Sequence, residues 1–266
     1  MSFDDLRLPS GTVDLMAIPT NATPGFEAGK RAGKKALAAM GPELADLQER
    51  LFAARSAGST RNVLLVLQGM DTSGKGGVLR HTVGLVDPQG VRITSFKAPT
   101  DEEKKHDFLW RIRNALPAPG YVGVFDRSHY EDVLIVKVHG WAPAEEIERR
   151  YGAINDFEAE LVASGTVVVK CMLHVSADEQ KERLLARLDE RALWPRYRDA
   201  YEVALERTNT DVVPWHVIPS DRKWYRNLAI GHLLLEALRS LELGWPAADF
   251  DVETERRRLA DEAPIA

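Results

Sequence analysis

The sequence predicts an α/β fold, a parallel sheet flanked by helices, and three observations predict it. Val63-Leu64-Leu65-Val66-Leu67 is a continuous apolar run of strand length, without the polar alternation of a strand that has one wet face. A glycine-rich string from Gly69 to Gly77 follows at once and opens into a helical pattern. Beyond it, strand-like runs alternate with helical segments, the signature of crossover units that build a parallel sheet.

Taken in order, residues 1 to about 25 are rich in Pro, Gly, Thr and Asn, with Pro9, Pro19 and Pro24, and predict an extended arm. Helical patterns follow near 26–40 and 43–57, the second with Leu44, Leu47, Leu51 and Phe52 at helix spacing. We read 1–58 as an arm and helices packed on the core, and 59–266 as the core itself. Strand-like runs recur at 91–96, 121–125, 166–173 and, more weakly, 215–218. Helical segments lie near 75–86, 101–115, 128–138, 143–163, 177–190, 194–208 and 222–242. Ser176 followed by Glu179 forms a capping box at the start of the helix near 177.

With 266 residues and 44% apolar content, the chain can bury a substantial core. No stretch approaches the roughly 20 apolar residues of a membrane helix. Met1-Ser2-Phe3-Asp4-Asp5 lacks the basic start and apolar run of an export signal. These features predict a cytoplasmic protein with no membrane partner. Cys171, the only cysteine, lies in an apolar run and reads as a buried structural thiol. A net charge of −5 argues against a nucleic-acid partner. Yet Lys and Arg recur from Arg92 to Arg113 and from Lys181 to Arg198. They suit either a focused basic groove for a polyanion or ordinary solvated helix faces.

The glycine-rich string reads Gly69-Met70-Asp71-Thr72-Ser73-Gly74-Lys75-Gly76-Gly77. Between a strand and a helix, such a loop turns successive N–H groups toward phosphate oxygens, the helix terminus adds positive potential, and Lys75 supplies a point charge. The residue after the lysine, ordinarily a Ser or Thr that binds magnesium, is here Gly76, so something else must hold a metal. Asp71 sits inside the loop, where a carboxylate beside phosphates is repelled unless a cation lies between them. We read it as a metal-site residue.

Asp126-Arg127-Ser128 comes directly after the strand-like run 121–125, and in such sheets the ligand crevice lies at the carboxyl ends of the strands. Asp126 would complete the metal site and Arg127 would grip a phosphoryl group through its planar fork. The plainer alternative makes Asp126 an N-cap and Arg127 a surface residue. Arg183 and Arg187, one turn apart, suit a lid over phosphates, though any exposed helix looks the same. The histidines show no metal-ligand spacing and no Gly-x-Ser-x-Gly elbow occurs, so zinc chemistry and a hydrolase triad lack support. Trp194, Trp215 and Trp224 read as core or lid packing rather than a base-stacking platform.

With these residues in view, the sequence resembles the polyphosphate kinase 2 family over nearly its whole length. The resemblance rests on Leu67 to Lys75, on Ser95-Phe96-Lys97-Ala98-Pro99-Thr100, on His106 to Arg111, and on Phe125-Asp126-Arg127-Ser128-His129-Tyr130-Glu131-Asp132-Val133-Leu134. Glu206-Arg207-Thr208-Asn209-Thr210 and Pro214 to Pro219 fit it as well. It implies a thymidylate-kinase-like P-loop core with a helical lid over about 177–208. It also implies Mg2+, with Mn2+ as a substitute, and reversible phosphoryl transfer between inorganic polyphosphate and nucleotides, AMP to ADP and ADP to ATP, guanine nucleotides included.

Carried over by position, Asp71 and Asp126 organise the metal, Lys75 and Arg127 bind phosphoryl groups, and Arg187 is the lid arginine. Gly69, Thr72, Ser73, Gly74, Gly76 and Gly77, with Arg80, Lys97 and Arg183, would bind phosphate or polyphosphate, and Asp126, Arg127, Tyr130 and Glu131 the nucleotide. The stretch from Ser128 to Leu134 resembles the subgroup that accepts nucleoside monophosphates as well as diphosphates. A homo-oligomer, a dimer or tetramer, is implied too.

Two other readings stay in view: an ATP-dependent nucleoside monophosphate kinase of the same fold, and a non-catalytic binding protein that keeps the loop. The resemblance carries one departure. Family members usually have a longer basic, Trp-containing segment where Leu188-Asp189-Glu190 here runs directly into Arg191-Ala192-Leu193-Trp194. Either this is a genuine deletion, or a stretch is missing and a break in the roughly 3.8 Å Cα spacing falls between Leu188 and Ala192.

Overall fold

In the computed structural model, described over residues 2–184, 193–248 and 251–261, the apolar run is strand β1 (Asn62–Gln68), buried along its whole length. Its side chains alternate between two cores. Val63, Leu65 and Leu67 join one, and Leu64 and Val66 join the other, as the two-residue period of a strand requires. The other strands are β2 (Val91–Ser95), β3 (Val122–Asp126), β4 (Thr166–His174) and β5 (Trp215–Pro219). They form one wholly parallel sheet in the order β2-β3-β1-β4-β5. Leu67 pairs with Asp126 on one side and Cys171 on the other, and Ser95 pairs with Asp126. The loops that follow β1, β2 and β3 therefore leave the sheet at the same edge.

Helices cover both faces: α1 (Lys30–Ala54), α2 (Lys75–His81), α3 (Trp110–Asn114), α4 (Ile135–His139), α5 (Ala144–Ala163), α6 (Ala177–Leu184), α7 (Trp194–Thr208) and α8 (Lys223–Arg239). α1 is one helix where two were expected, and it runs through Pro42. Proline removes a helix hydrogen bond, but this helix buries Met40, Leu44 and Leu51 against α8, and tertiary packing outweighs local propensity. The segments expected near 75–86, 101–115 and 128–138 instead break into short helices joined by 3-10 turns. A further helix, α9 (Val252–Asp261), was not expected, for its sequence carries no apolar stripe and it buries none of its residues. Of the capping box only half forms. Ser176 Oγ accepts from Glu179 N, whereas the Glu179 carboxylate pairs with Arg183 and Ser176 N donates to Asp221. The Leu188–Ala192 junction, where a chain break was expected, lies outside the described residues.

The N-terminal arm packs on the core, with Arg7 and Leu8 beside the edge strand β5 and Phe3 and Phe26 against α8. Leu8 N donates to Trp215 O at the start of β5, and Phe3, Leu6, Leu8, Val13 and Leu15 are buried. The imidazole of His174, at the end of β4, donates through Nε2 to Leu15 O at 2.9 Å, and burial pushes its pKa down. His216 is lowered in the same way, also chiefly by burial. Because both bind protons more weakly folded than unfolded, stability is full above the unfolded value of about 6.5 and falls as pH drops through the lowered folded values. The melting temperature should decline on acidification below that point, and less steeply in His174→Gln. An unchanged slope in that variant would show that His174 does not carry the effect.

Candidate active site

The loop after β1 and the helix α2 form the floor of a cleft of about 560 Å3. Asp71, Thr72, Gly74, Lys75, Gly76, Gly77, Lys97, Asp126 and Arg127, nine of the residues expected at the site, line it together. Three devices hold them there. Thr72 and Arg127 adopt left-handed backbone conformations, φ 57° and 63°, which non-glycine residues hold only where the surroundings impose them. Arg127 N donates to Leu67 O, which ties the turn after β3 to the end of β1. Ser128 Oγ then caps the next turn by accepting from Tyr130 N.

Two arginines fix the loop from below. Arg183 on α6 donates to the carbonyls of Thr72, Ser73, Ser220 and Asp221 and pairs with Glu179. Arg226 on α8 donates to Ser73 O at 3.1 Å. The carbonyls of Thr72 and Ser73 are thereby taken up by the two arginines, while Gly69 N and Ser73 N donate to Tyr201 Oη and Met70 O. Burial, then the neighbouring Arg183, pushes Arg226 down to about 10, so it stays cationic at neutral pH. Gly74 sits at φ 106°, and a Cβ there would overlap Arg226 Nη1. Gly74→Ala should therefore abolish most activity through displacement of the loop, and cost about 1–3 kcal/mol of stability. A variant with unchanged stability and activity would refute this account of the loop.

Lys75 is half-buried and donates to Gly69 O at 2.9 Å. Burial lowers its pKa, opposed first by Asp126. Ser95, which did not stand out as a chemical residue in the sequence, ends β2 opposite Asp126, donates to its carboxylate at 3.3 Å and lines the cleft. Its position in register across from Asp126 is the signal that finds it. Arg111, on α3, donates to Lys97 O and pairs with Asp132, which anchors the segment that carries Lys97. A smaller pocket of about 100 Å3 lies beside α6 and α7, the side where the lid is expected, lined by Gly69, Asp71, Arg127, Glu131, Gln180 and Tyr201 among others. Asp71 and Arg127 line both spaces.

Not every expected residue reaches the site. Tyr130 is fully buried, its hydroxyl donating to Glu158 and accepting from Lys170, so it cannot touch a nucleotide, whereas Glu131 beside it does face the lid-side pocket. Arg183 uses all five of its donors on protein groups and acts as a brace rather than a phosphate ligand. Arg80 is exposed in the last turn of α2 and lines neither space. Ser73 is buried within the loop, its hydroxyl without a hydrogen-bond partner among the described residues. Arg187 lies outside the described residues.

Known proteins with this arrangement decide the family. The model of the polyphosphate kinase 2 family matches residues 27–243, most of the chain and all of the cleft. The chain belongs to the polyphosphate kinase 2 family. Similar proteins include an AMP/ADP-polyphosphate phosphotransferase of Meiothermus ruber, 41% identical over 252 residues that span 90% of this chain and 93% of the relative. An ADP-polyphosphate phosphotransferase of Rhodopseudomonas palustris is 38% identical, with 88% of each chain covered. The crystal structure of polyphosphate kinase 2 from Arthrobacter aurescens superposes with a TM-score of 0.92 at 54% identity, over 97% of this chain and 96% of that one. As a polyphosphate kinase 2, the chain is an enzyme, and its parallel sheet flanked by helices is the α/β fold that the sequence predicted. Among the described residues no helix is long and apolar enough to cross a membrane.

Proposed function

We propose that this enzyme transfers phosphoryl groups reversibly between inorganic polyphosphate and adenine nucleotides, AMP to ADP and ADP to ATP, with Mg2+. One observation carries the reading: Asp71 and Arg127 line both the phosphate cleft and the lid-side pocket, so a donor in one and an acceptor in the other would meet between them. The activities for which the relatives are named, AMP/ADP-polyphosphate phosphotransferase in M. ruber and ADP-polyphosphate phosphotransferase in R. palustris, support the same donor and, between them, the same acceptors.

The site suits a hard divalent cation. Asp71 and Asp126 offer carboxylate oxygens in one cleft, while the described residues hold no group of three or more His, Cys, Asp or Glu that would cage a metal. Two carboxylates completed by phosphate oxygens and water are how Mg2+ is ordinarily bound, and Mn2+ would fit the same donors. Asp71 and Asp126 would hold the cation, which would offset phosphate charge. Transfer of this kind has a loose transition state and needs position and charge more than covalent help. The loop N–H groups and Lys75 would hold the donor phosphates, and Arg127 would balance charge on the group in flight. Glu131, facing the lid-side pocket, would contact the nucleotide.

Incubation of AMP and Mg2+ with either long-chain polyphosphate or ATP, with ADP and ATP followed, tests the donor. We expect product from polyphosphate; product from ATP alone would sink the reading. A cytoplasmic homo-oligomer, dimer or tetramer, belongs to the same proposal, and light scattering that finds only monomer would refute that part.

A further inference from the structure

Strand β1 ends on a polar residue where its pattern calls for an apolar one. Leu64 and Val66 join the core that also holds Tyr130, Tyr201 and Trp215, and Gln68, next on the same face, is 0% exposed. The strand end is held fast. Gln68 pairs in register with Met172 of β4, Gly69 N donates to Tyr201 Oη at 3.1 Å, and a Cβ at Gly69 would press on Ser73 Oγ and Leu173 O.

The two ends of the Gln68 amide are unequally used. Nε2 donates to Glu131 Oε1 at 3.2 Å, whereas Oε1 is buried with no hydrogen-bond partner among the described residues. An ionised carboxylate only accepts, so the amide nitrogen is the atom that must face it. A half-satisfied amide in a core is less favourable than an apolar side chain of the same shape. Packing therefore gives no reason for Gln68, and the contact with Glu131 does.

Glu131 depends on that contact. Its carboxylate is half-buried, has no ion pair among the described residues, and takes from Gln68 the one side-chain hydrogen bond it has there. It lines the lid-side pocket with Asp71, Arg127 and Tyr201, and does not line the phosphate cleft. Gln68 occupies one acceptor position of the carboxylate from the core side, which leaves the others to donors in the pocket.

Resting on the reading of this pocket as the nucleotide site, we propose that Gln68 is a positioning residue for the acceptor. It holds the Glu131 carboxylate in the direction from which it accepts hydrogen bonds from the nucleotide, and so sets the affinity for AMP. Gln68 itself touches no substrate.

Kinetics of Gln68→Met, Glu131→Ala and the double variant, with AMP and long-chain polyphosphate varied in turn, test the proposal. Met fills much the same space without the amide, so the melting temperature of Gln68→Met should equal or exceed that of wild type. Its KM for AMP should rise about tenfold, the scale of one hydrogen bond to a charged group, while KM for polyphosphate stays within about twofold. In the Glu131→Ala background the same replacement should change nothing further, because the residue through which it acts is gone. A raised KM for AMP in Glu131→Ala but not in Gln68→Met, equal rises for both substrates, or additive effects in the double variant would overturn the proposal. An unchanged KM for AMP in Glu131→Ala would refute the nucleotide reading of the pocket, and this inference with it.

Discussion

Lys75→Ala is expected to lower kcat/KM for phosphorylation of AMP by polyphosphate at least about a hundredfold, with Asp71→Asn and Asp126→Asn losing as much, the scale of one electrostatic contributor in a preorganised site. The three side chains line a single cleft, and Lys75 is held by Gly69 O at the point where the loop folds over α2. None of the three changes removes apolar packing, so thermal melting should stay near wild type. Loss of activity with an intact melting curve places the effect in chemistry rather than folding. Near-normal turnover in all three variants would place the chemistry elsewhere.

Lys170→Met or Glu158→Ala alone should destabilise the fold by about 3–5 kcal/mol, because each leaves an uncompensated charge in the core. Lys170 Nζ, fully buried on β4, donates to Glu158 at 2.6 Å, to Thr208 O at 2.8 Å and to Tyr130 Oη at 2.9 Å. Glu158, on α5, also accepts from Tyr130 Oη and lies 3.2 Å from His129 Nε2. Burial alone would raise its pKa, but Lys170 and then His129 hold it below the usual range. The network ties α5, β4 and the end of α7 to the turn that begins with Arg127, so activity should fall along with stability. Urea denaturation of both single variants and of Lys170→Met/Glu158→Leu decides. The double replacement, with no charge left to bury, should recover most of the loss. Single variants within about 1 kcal/mol of wild type would contradict the account.

The parts of this molecule that a sequence displays are those whose reason is local. Val63 to Leu67 announces a doubly covered strand by composition, and the loop from Gly69 to Gly77 announces its position at the cleft by its place between that strand and a helix. Asp126 was legible because a strand end, once recognised, fixes which edge of the sheet it faces. The rest depends on partners far away in the chain. Tyr130 neighbours Arg127 in sequence, yet its direction is set by Glu158 and Lys170, which no local pattern connects to it. Arg183 was seen as a cation on a helix, but only the fold shows that loop carbonyls take up its donors. Arg226 lies in an apolar helix and drew no attention, because its role depends on Gly74 and Gly77 having no Cβ. The helix through Pro42 was split for a related reason: local propensity breaks it, and burial against α8 restores it.

The central claim is that the phosphoryl group leaves inorganic polyphosphate and reaches the nucleotide within the cleft built on Lys75 and Asp126. Radiolabelled polyphosphate and unlabelled AMP, mixed with Mg2+ in the absence of ATP, test it most directly when wild type and Lys75→Ala are run side by side. We predict label in ADP, and then in ATP, with wild type, and almost none with the variant. ADP that stays unlabelled with wild type, or labelled equally by both proteins, would contradict the claim.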